Sequence, residues 1–226
     1  MLCDFQRLIV KLFKFLGLLV FSIIQAAGWP IWFLLFSSVI AVALIIERSS
    51  FLRRKKVLPA GLLQSVISDY RQGKVDNDSL AGLESHSLLG QVFAAGLRNA
   101  QSSREVMKES IEEAGRAVAH ELDGHVGGVN LIQLLGTVAS IAPLMGLFGT
   151  VVGMIEIFGS ATGSGNNPQV LAHGISVALY NTGFGLLIAI PSMIFYRHFR
   201  ALVDSLVVEM EQQTVKLVEL VQSERK

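Results

Sequence analysis

The sequence predicts an all-α membrane protein with three transmembrane helices, the second and third of which continue as long cytoplasmic helical extensions. Three observations lead there. Of the 226 residues 51% are hydrophobic and the mean hydropathy is +0.52, high for a soluble chain. Residues 15–46, 131–155 and 174–196 contain no Asp, Glu, Lys or Arg, and each stretch exceeds the roughly 20 residues that a helix needs to cross the hydrocarbon core. Basic residues crowd the exits of the first and third stretches, as the positive-inside bias of membrane helices requires.

The same composition excludes other classes. A net charge of +1 supplies no concentrated basic face, so nucleic acid is not an expected partner. Cys3 is the single cysteine, which excludes an internal disulfide framework and a thiolate metal site within one chain. His120 and His125 are five apart, not the HExxH spacing that places two metal ligands on one helical face, and they are expected to be solvated helix residues. No GxSxG, Walker loop or Cys/His cluster is present, and the expectation is a protein with no catalytic residues, no metal and no cofactor.

Residues 1–28 come first. Arg7, Lys11 and Lys14 among Leu, Ile and Phe predict an amphipathic segment lying at the membrane interface on the outer, periplasmic side. A signal peptide is the rival reading, weakened because no small-x-small cleavage site stands cleanly before Gly28. Trp29, Pro30 and Trp32 mark an interfacial belt and a helix start, so the first transmembrane helix is placed at 29–47. Arg48, Arg53, Arg54, Lys55 and Lys56 then open a cytoplasmic helical domain at 48–130.

Within that domain Gly73 and the run Asp76–Asp78 predict a break between helices. Ser102 and Glu105 have capping-box spacing, starting a helix expected to run through Ile111, Val118 and Leu122 toward the second span. The second transmembrane helix is placed at 131–158 and the third at 173–196, joined by a short periplasmic turn at 159–172 rich in Gly and Asn, so the two must form an antiparallel hairpin. Past the third span, Phe199, Leu202, Leu206, Met210, Leu217 and Val221 recur at helical spacing, predicting a cytoplasmic C-terminal helix at 197–226. The C-terminus is thus cytoplasmic. The three basic residues near the outward N-terminus run against the charge bias.

The second and third spans carry residues that a helix facing lipid would not need. Stepping back from Thr150 by fours and threes gives Gly146, Pro143, Ala139 and Gly136, one helical face of small residues suited to a lumen or to a close helix contact. Gly149 and Gly153 form GxxxG, a helix-packing spacing that is common in membranes. Pro143 costs a backbone hydrogen bond, which a neighbouring helix or water can replace and lipid cannot.

The third span repeats the pattern with Asn181, Thr182, Gly183 and Gly185, then Pro191. Asn181 and Thr182 are costly in lipid and are expected to face inward. For Thr150 the plain alternative is a hydroxyl bonded to a carbonyl one turn back. A proton pathway commonly needs a membrane carboxylate. Neither span has one at its centre, and Glu156 and His173 lie near the outer ends, as pore-mouth candidates or simply as polar groups reaching water. If protons cross here, the titrating carboxylate comes from another polypeptide.

LLGTVASIAPLMGLFGTVVGM at 134–154, followed by GISVALYNTGFGLLIAIPSMIFY at 174–196, resembles the paired signature of the ExbB/TolQ/MotA proton-channel family, most closely its ExbB branch. The first span resembles the family more loosely, and 57–101 only in composition. The resemblance implies a homopentamer around a central pore in a bacterial inner membrane, with the second and third helices enclosing two transmembrane helices of an ExbD-type partner that brings the membrane aspartate. It further implies a TonB-type protein that carries the work of the proton-motive force to outer-membrane receptors for iron chelates and similar nutrients. By the same resemblance Thr150 and Thr182 occupy the positions of lumen-facing threonines that assist the partner's aspartate. One departure stands out: where many members have glutamate in a GIAEAL-like run, this chain has Val177 in GISVAL.

Three alternatives stay open. A TolQ-type motor for the outer envelope is the sibling reading, against which Val177 argues mildly. A flagellar MotA-type stator would resemble a four-span chain. From a different class, a non-conducting helical scaffold would use the glycines and prolines for packing alone.

Overall fold

A computed structural model describes residues 28–161 and 168–224 of the chain. The interfacial segment expected at 1–28 lies outside the described residues except for Gly28, and so does the middle of the turn expected at 159–172. The chain divides into two compact units: one takes the chain up to Ala43 together with Leu135–Ile194, the other Leu44–Leu134 together with Phe195–Lys226.

Among the described residues three helices are long and apolar enough to cross a membrane. They are α1 (Ile31–Phe51), α7 (Leu131–Ala161) and α8 (Pro168–Ser223). Gly28 takes φ +76° just before Trp29 and Pro30, so the chain turns and α1 begins one residue after the proline. Ile31, Leu34 and Ala41 of α1 are buried, whereas Trp32, Phe36 and Val39 stand exposed at i, i+4 and i+7, an apolar stripe that water would disfavour and lipid accepts. Trp29 meets Phe33 and Phe148 edge-on, with centroids 6.0 and 6.1 Å away, which fastens the start of α1 to α7.

Pro143 and Pro191 both sit inside continuous helices. Asn130 caps α7, its side-chain oxygen accepting from the Gln133 amide at 2.9 Å. Gly159 and residues 168–172, expected in the turn, are helical, and α8 runs unbroken for 56 residues from its apolar half into its amphipathic half.

The second unit is built on α2 (Arg54–Val57), α3 (Leu62–Arg71), α4 (Asn77–His86), α5 (Leu88–Arg98) and α6 (Arg104–Leu122). Its core is α5, in which Leu88, Leu89, Val92, Phe93, Ala94 and Leu97 are all buried. Two glycines let neighbours reach it. A Cβ at Gly90 would collide with the Leu83 carbonyl oxygen of α4, and one at Gly96 would lie 2.8 Å from Ile111 Cδ1 of α6. The break between α3 and α4 falls at Gly73, φ +65°, and at Asp76. Asp76 and Ser79 form a reciprocal capping box, and the Ser79 amide and hydroxyl hold the Asp76 carboxyl below the usual carboxylate range. Phe199, Leu206, Met210, Leu217 and Val221 of α8 are buried, so the stripe predicted for the C-terminal helix has its partner within the chain.

Two local expectations are corrected. The cap of α6 is Ser103 rather than Ser102, since the Ser103 hydroxyl accepts from the Val106 amide at 3.3 Å. The helix also does not run on toward the second span. It ends at Leu122, and a hairpin of β1 (His125–Val126) and β2 (Val129–Asn130) follows. The reason is legible in GHVGGVN: Gly127 and Gly128 both adopt positive φ, the conformation of a two-residue hairpin turn between β-branched residues.

The hairpin leads into a junction centred on Arg48, which is 3% exposed. Its guanidinium pairs with Glu47, donates to the Leu122 carbonyl at the end of α6 (3.4 Å) and lies 4.8 Å over the Phe51 ring. Gly124, φ +80°, makes room for it, because a Cβ there would stand 2.7 Å from Arg48 Cζ. Asp123 meets Arg200 at 3.6 Å. Residues flanking all three apolar stretches thus converge at one level.

Candidate functional site

The α7–α8 hairpin assembles most of the residues singled out in the second and third spans. Its register follows from glycine contacts: Ile157 opposes Gly174, Gly153 opposes Ala178, Gly149 opposes Asn181, Gly146 opposes Asn181 and Thr182, and Ala142 opposes Gly185. Partner numbers rise on one helix as they fall on the other, so the pair is antiparallel. The steps of three and four on each helix give one continuous seam built mostly of Ala and Gly, with Ile157 at one end and Asn181 and Thr182 in its middle. The approach is close enough to involve backbone. A Cβ at Gly146 would lie 2.8 Å from the Asn181 carbonyl oxygen and 3.0 Å from Thr182 Cα, and one at Gly185 would lie 2.6 Å from the Ala142 carbonyl oxygen. A Cβ at Gly153 would sit 3.2 Å from Ala178 Cβ.

Asn181 lies in the middle of this seam and is 1% exposed. Gly149 leaves the space that its side chain fills, with Asn181 Cβ and Cγ each 2.7 Å from where a Cβ would be. The small-residue face anticipated from Thr150 backward is therefore divided. Ala139 and Gly146 are buried, and Gly146, like Asn181, serves the contact between the two helices of one chain; Pro143 and Thr150 are half-exposed. Gly183 meets nothing within 4 Å, so any packing role for it needs a neighbouring chain. Pro191 is exposed. Beside it Ser192 is buried and donates to the Ile188 carbonyl at 2.7 Å. Glu156 is exposed near the far end of α7, and His173 and Val177 lie on α8 with side chains outside the described ones.

The two threonines differ in their hydrogen bonding. Thr150 donates its hydroxyl proton to the Leu147 carbonyl at 2.6 Å, the local bond that the plain alternative anticipates, and retains oxygen lone pairs as acceptors. It lines a shallow groove along α7 with Val151, Met154, Ile155, Phe158 and Gly159. Thr182 is half-buried, its hydroxyl oxygen is shielded from solvent, and no group among the described residues bonds it. Leaving such a hydroxyl unsatisfied costs about 1–3 kcal/mol, so its partner is to be sought outside the chain, in water or another polypeptide. Among the described residues no group of three or more His, Cys, Asp or Glu could hold a metal.

Sequence reasoning located Asn181 and Thr182 but not their different situations. The signal was the three-residue offset between Gly146 and Gly149, which brackets one long side chain on the facing helix.

Residues 84–212 match the MotA/TolQ/ExbB proton channel family. Over 181 residues the chain is 31% identical to the biopolymer transport protein ExbB of Salmonella typhimurium, covering 76% of this chain and 72% of that protein. It is 50% identical to biopolymer transport protein exbB1 of Vibrio cholerae over 68 residues, 29% of this chain and 28% of that one. The Tol-Pal system protein TolQ of Haemophilus influenzae is 29% identical over 184 residues, 75% of this chain and 77% of its own length.

Proposed function

Since the chain belongs to the MotA/TolQ/ExbB proton channel family, we propose that it is a bacterial inner-membrane motor subunit that uses the proton-motive force, with an ExbD-type partner, to energise TonB-dependent import through outer-membrane receptors. In this reading five copies surround two partner helices, and the N-terminus and the loop between α7 and α8 are periplasmic. The second unit is cytoplasmic, in keeping with the basic residues after α1 and at Arg197 and Arg200.

The observation that carries the proposal is the Thr182 hydroxyl, shielded from solvent yet without a partner among the described residues, beside a backbone contact that only Gly146 permits. Two spans without a central carboxylate leave the titrating group to the partner, and Thr182 and Thr150 supply hydroxyls that can stabilise it as it gains and loses a proton. Thr182 offers donor and acceptor together, and Thr150 offers acceptor lone pairs while its proton is held by Leu147. The Ala and Gly seam makes α7 and α8 one rigid wall element, so a helix turning against the wall meets a fixed surface.

The sibling reading, a TolQ-type motor for envelope integrity, is favoured by the near-equal identity to TolQ. Deletion with plasmid complementation separates the two. The expected result is loss of proton-motive-force-dependent chelate uptake with normal detergent resistance and no leakage of periplasmic enzymes. Leakage and detergent sensitivity with normal uptake would assign the chain to the Tol-type system.

A further inference from the structure

His120 and His125 are five residues apart, a spacing that on one unbroken helix would set their side chains about 140° apart around the axis. The structure removes that obstacle. α6 ends at Leu122, Gly124 takes φ +80°, and His125 opens β1 instead of continuing the helix. The chain turns back toward the last turn of α6, and the two imidazole rings stand with centroids 4.2 Å apart, tilted by 56°. Both residues are exposed, so an ion in solution can reach them.

The hydrogen bonding fixes which nitrogen of His125 is available. Its Nδ1 lies 3.0 Å from the His120 carbonyl oxygen. A carbonyl only accepts, so Nδ1 carries the proton, and in the neutral ring Nε2 keeps its lone pair. Histidines that bind metal are commonly held in this way, with a backbone carbonyl setting the tautomer and the direction of the ring. Among the described residues the His120 ring makes no hydrogen bond or ion pair, and it offers a nitrogen as well.

The spacing of the rings fits a shared ion. Metal–nitrogen bonds of about 2.0–2.1 Å place the centres of two adjacent imidazoles on one ion about 4.5–5 Å apart. The observed 4.2 Å falls short of that by less than about 1 Å, which small rotations of two exposed side chains supply. His120 also lies in the last turn of α6, whose carbonyl end favours a cation. Asp123, between the two, is drawn to Arg200 at 3.6 Å, so water completes the coordination. Imidazole nitrogens select copper, nickel and zinc over magnesium and calcium.

We propose that His120 and His125 form a binding site for a divalent transition-metal ion of the copper, nickel or zinc class, which ties the end of α6 to the hairpin leading into α7. The inference stands apart from the motor reading, since it needs neither ion flow nor a partner. Losing one of two direct ligands should weaken binding by at least the roughly 10–100-fold that loss of an outer-shell partner costs.

The test is isothermal titration of the full-length protein, purified in detergent without a histidine tag, with Cu2+, Ni2+, Zn2+ and Mg2+. The variants are His120→Gln, His125→Gln and, as a control at exposed histidines elsewhere, His86→Gln/His198→Gln. Wild type and the control are expected to bind one ion per chain, Cu2+ more tightly than Ni2+ or Zn2+ and Mg2+ not at all, with the site lost in either single variant. Pulsed electron paramagnetic resonance of the wild-type Cu2+ form needs no substitution and should show two imidazole nitrogens. Weak binding that is equal in all four proteins would mean an adventitious ion only and overturn the site, as would a single nitrogen on Cu2+.

Discussion

Replacing Gly146 with leucine is expected to prevent the chain from accumulating as a folded membrane protein. A Cβ at this position already lies 2.8 Å from the Asn181 carbonyl oxygen and 3.0 Å from Thr182 Cα, so the obstacle is backbone and cannot rotate away. Overpacking costs about 1–3 kcal/mol where side chains can shift, and more where helices must part. Parting α7 from α8 here also opens the space around Asn181, exposing a buried amide to lipid. Gly183→Ala is the matched control, since a Cβ there meets nothing within 4 Å. Size-exclusion chromatography of the detergent-extracted protein, with protease resistance, should show Gly183→Ala like wild type within one chain and Gly146→Leu aggregated or degraded. A Gly146→Leu protein that extracts and elutes normally would contradict the helix register.

The second large effect concerns function without loss of fold. Thr150→Ala together with Thr182→Ala removes two hydroxyls from half-buried positions while leaving the Gly and Ala seam intact. Thr150 loses only a local bond to Leu147, and Thr182 loses none among the described residues, so protein abundance should be normal. A hydrogen bond to a charged group contributes about 1.5–3 kcal/mol, which corresponds to a roughly ten- to hundredfold change in rate for each hydroxyl that stabilises a charge in transit. Uptake driven by the proton-motive force should therefore be lost at normal protein levels. The double Thr→Ser variant, which keeps both hydroxyls, should restore it. Normal uptake in the double alanine variant would leave the hydroxyls without a part in ion flow and favour the packing scaffold.

Much of the membrane unit was legible because lipid imposes few solutions: uncharged stretches of sufficient length must be helical, and Gly, Asn and Thr within them need contacts that lipid does not offer. What the sequence could not supply was the facing residue. Stepping along α7 alone groups Gly146 and Ala139 with Thr150 on one face suited to a lumen or to a close helix contact, whereas the register gives Gly146 to the contact with α8 and leaves Thr150 half-exposed. Spacing on one helix defines a face, and only the partner helix decides whether it is covered.

The second unit was harder to anticipate. Its glycines at 90 and 96 act through contacts with α4 and α6 that no local pattern encodes. The hairpin at 125–130 was readable from its Gly-Gly turn but was overridden by the strong helical period of α6 before it. Arg48 resembled an ordinary juxtamembrane cation. Its burial over Gly124 depends on a segment 76 residues further along the chain.

The most direct test of the motor reading is native mass spectrometry of the protein extracted after expression alone and after co-expression with the small single-span product of the neighbouring gene. The account predicts five copies of this chain that retain the partner in smaller number, with retention weakened by Thr182→Ala. A monomer or dimer that ignores the partner would contradict it and leave the α7–α8 seam as packing alone.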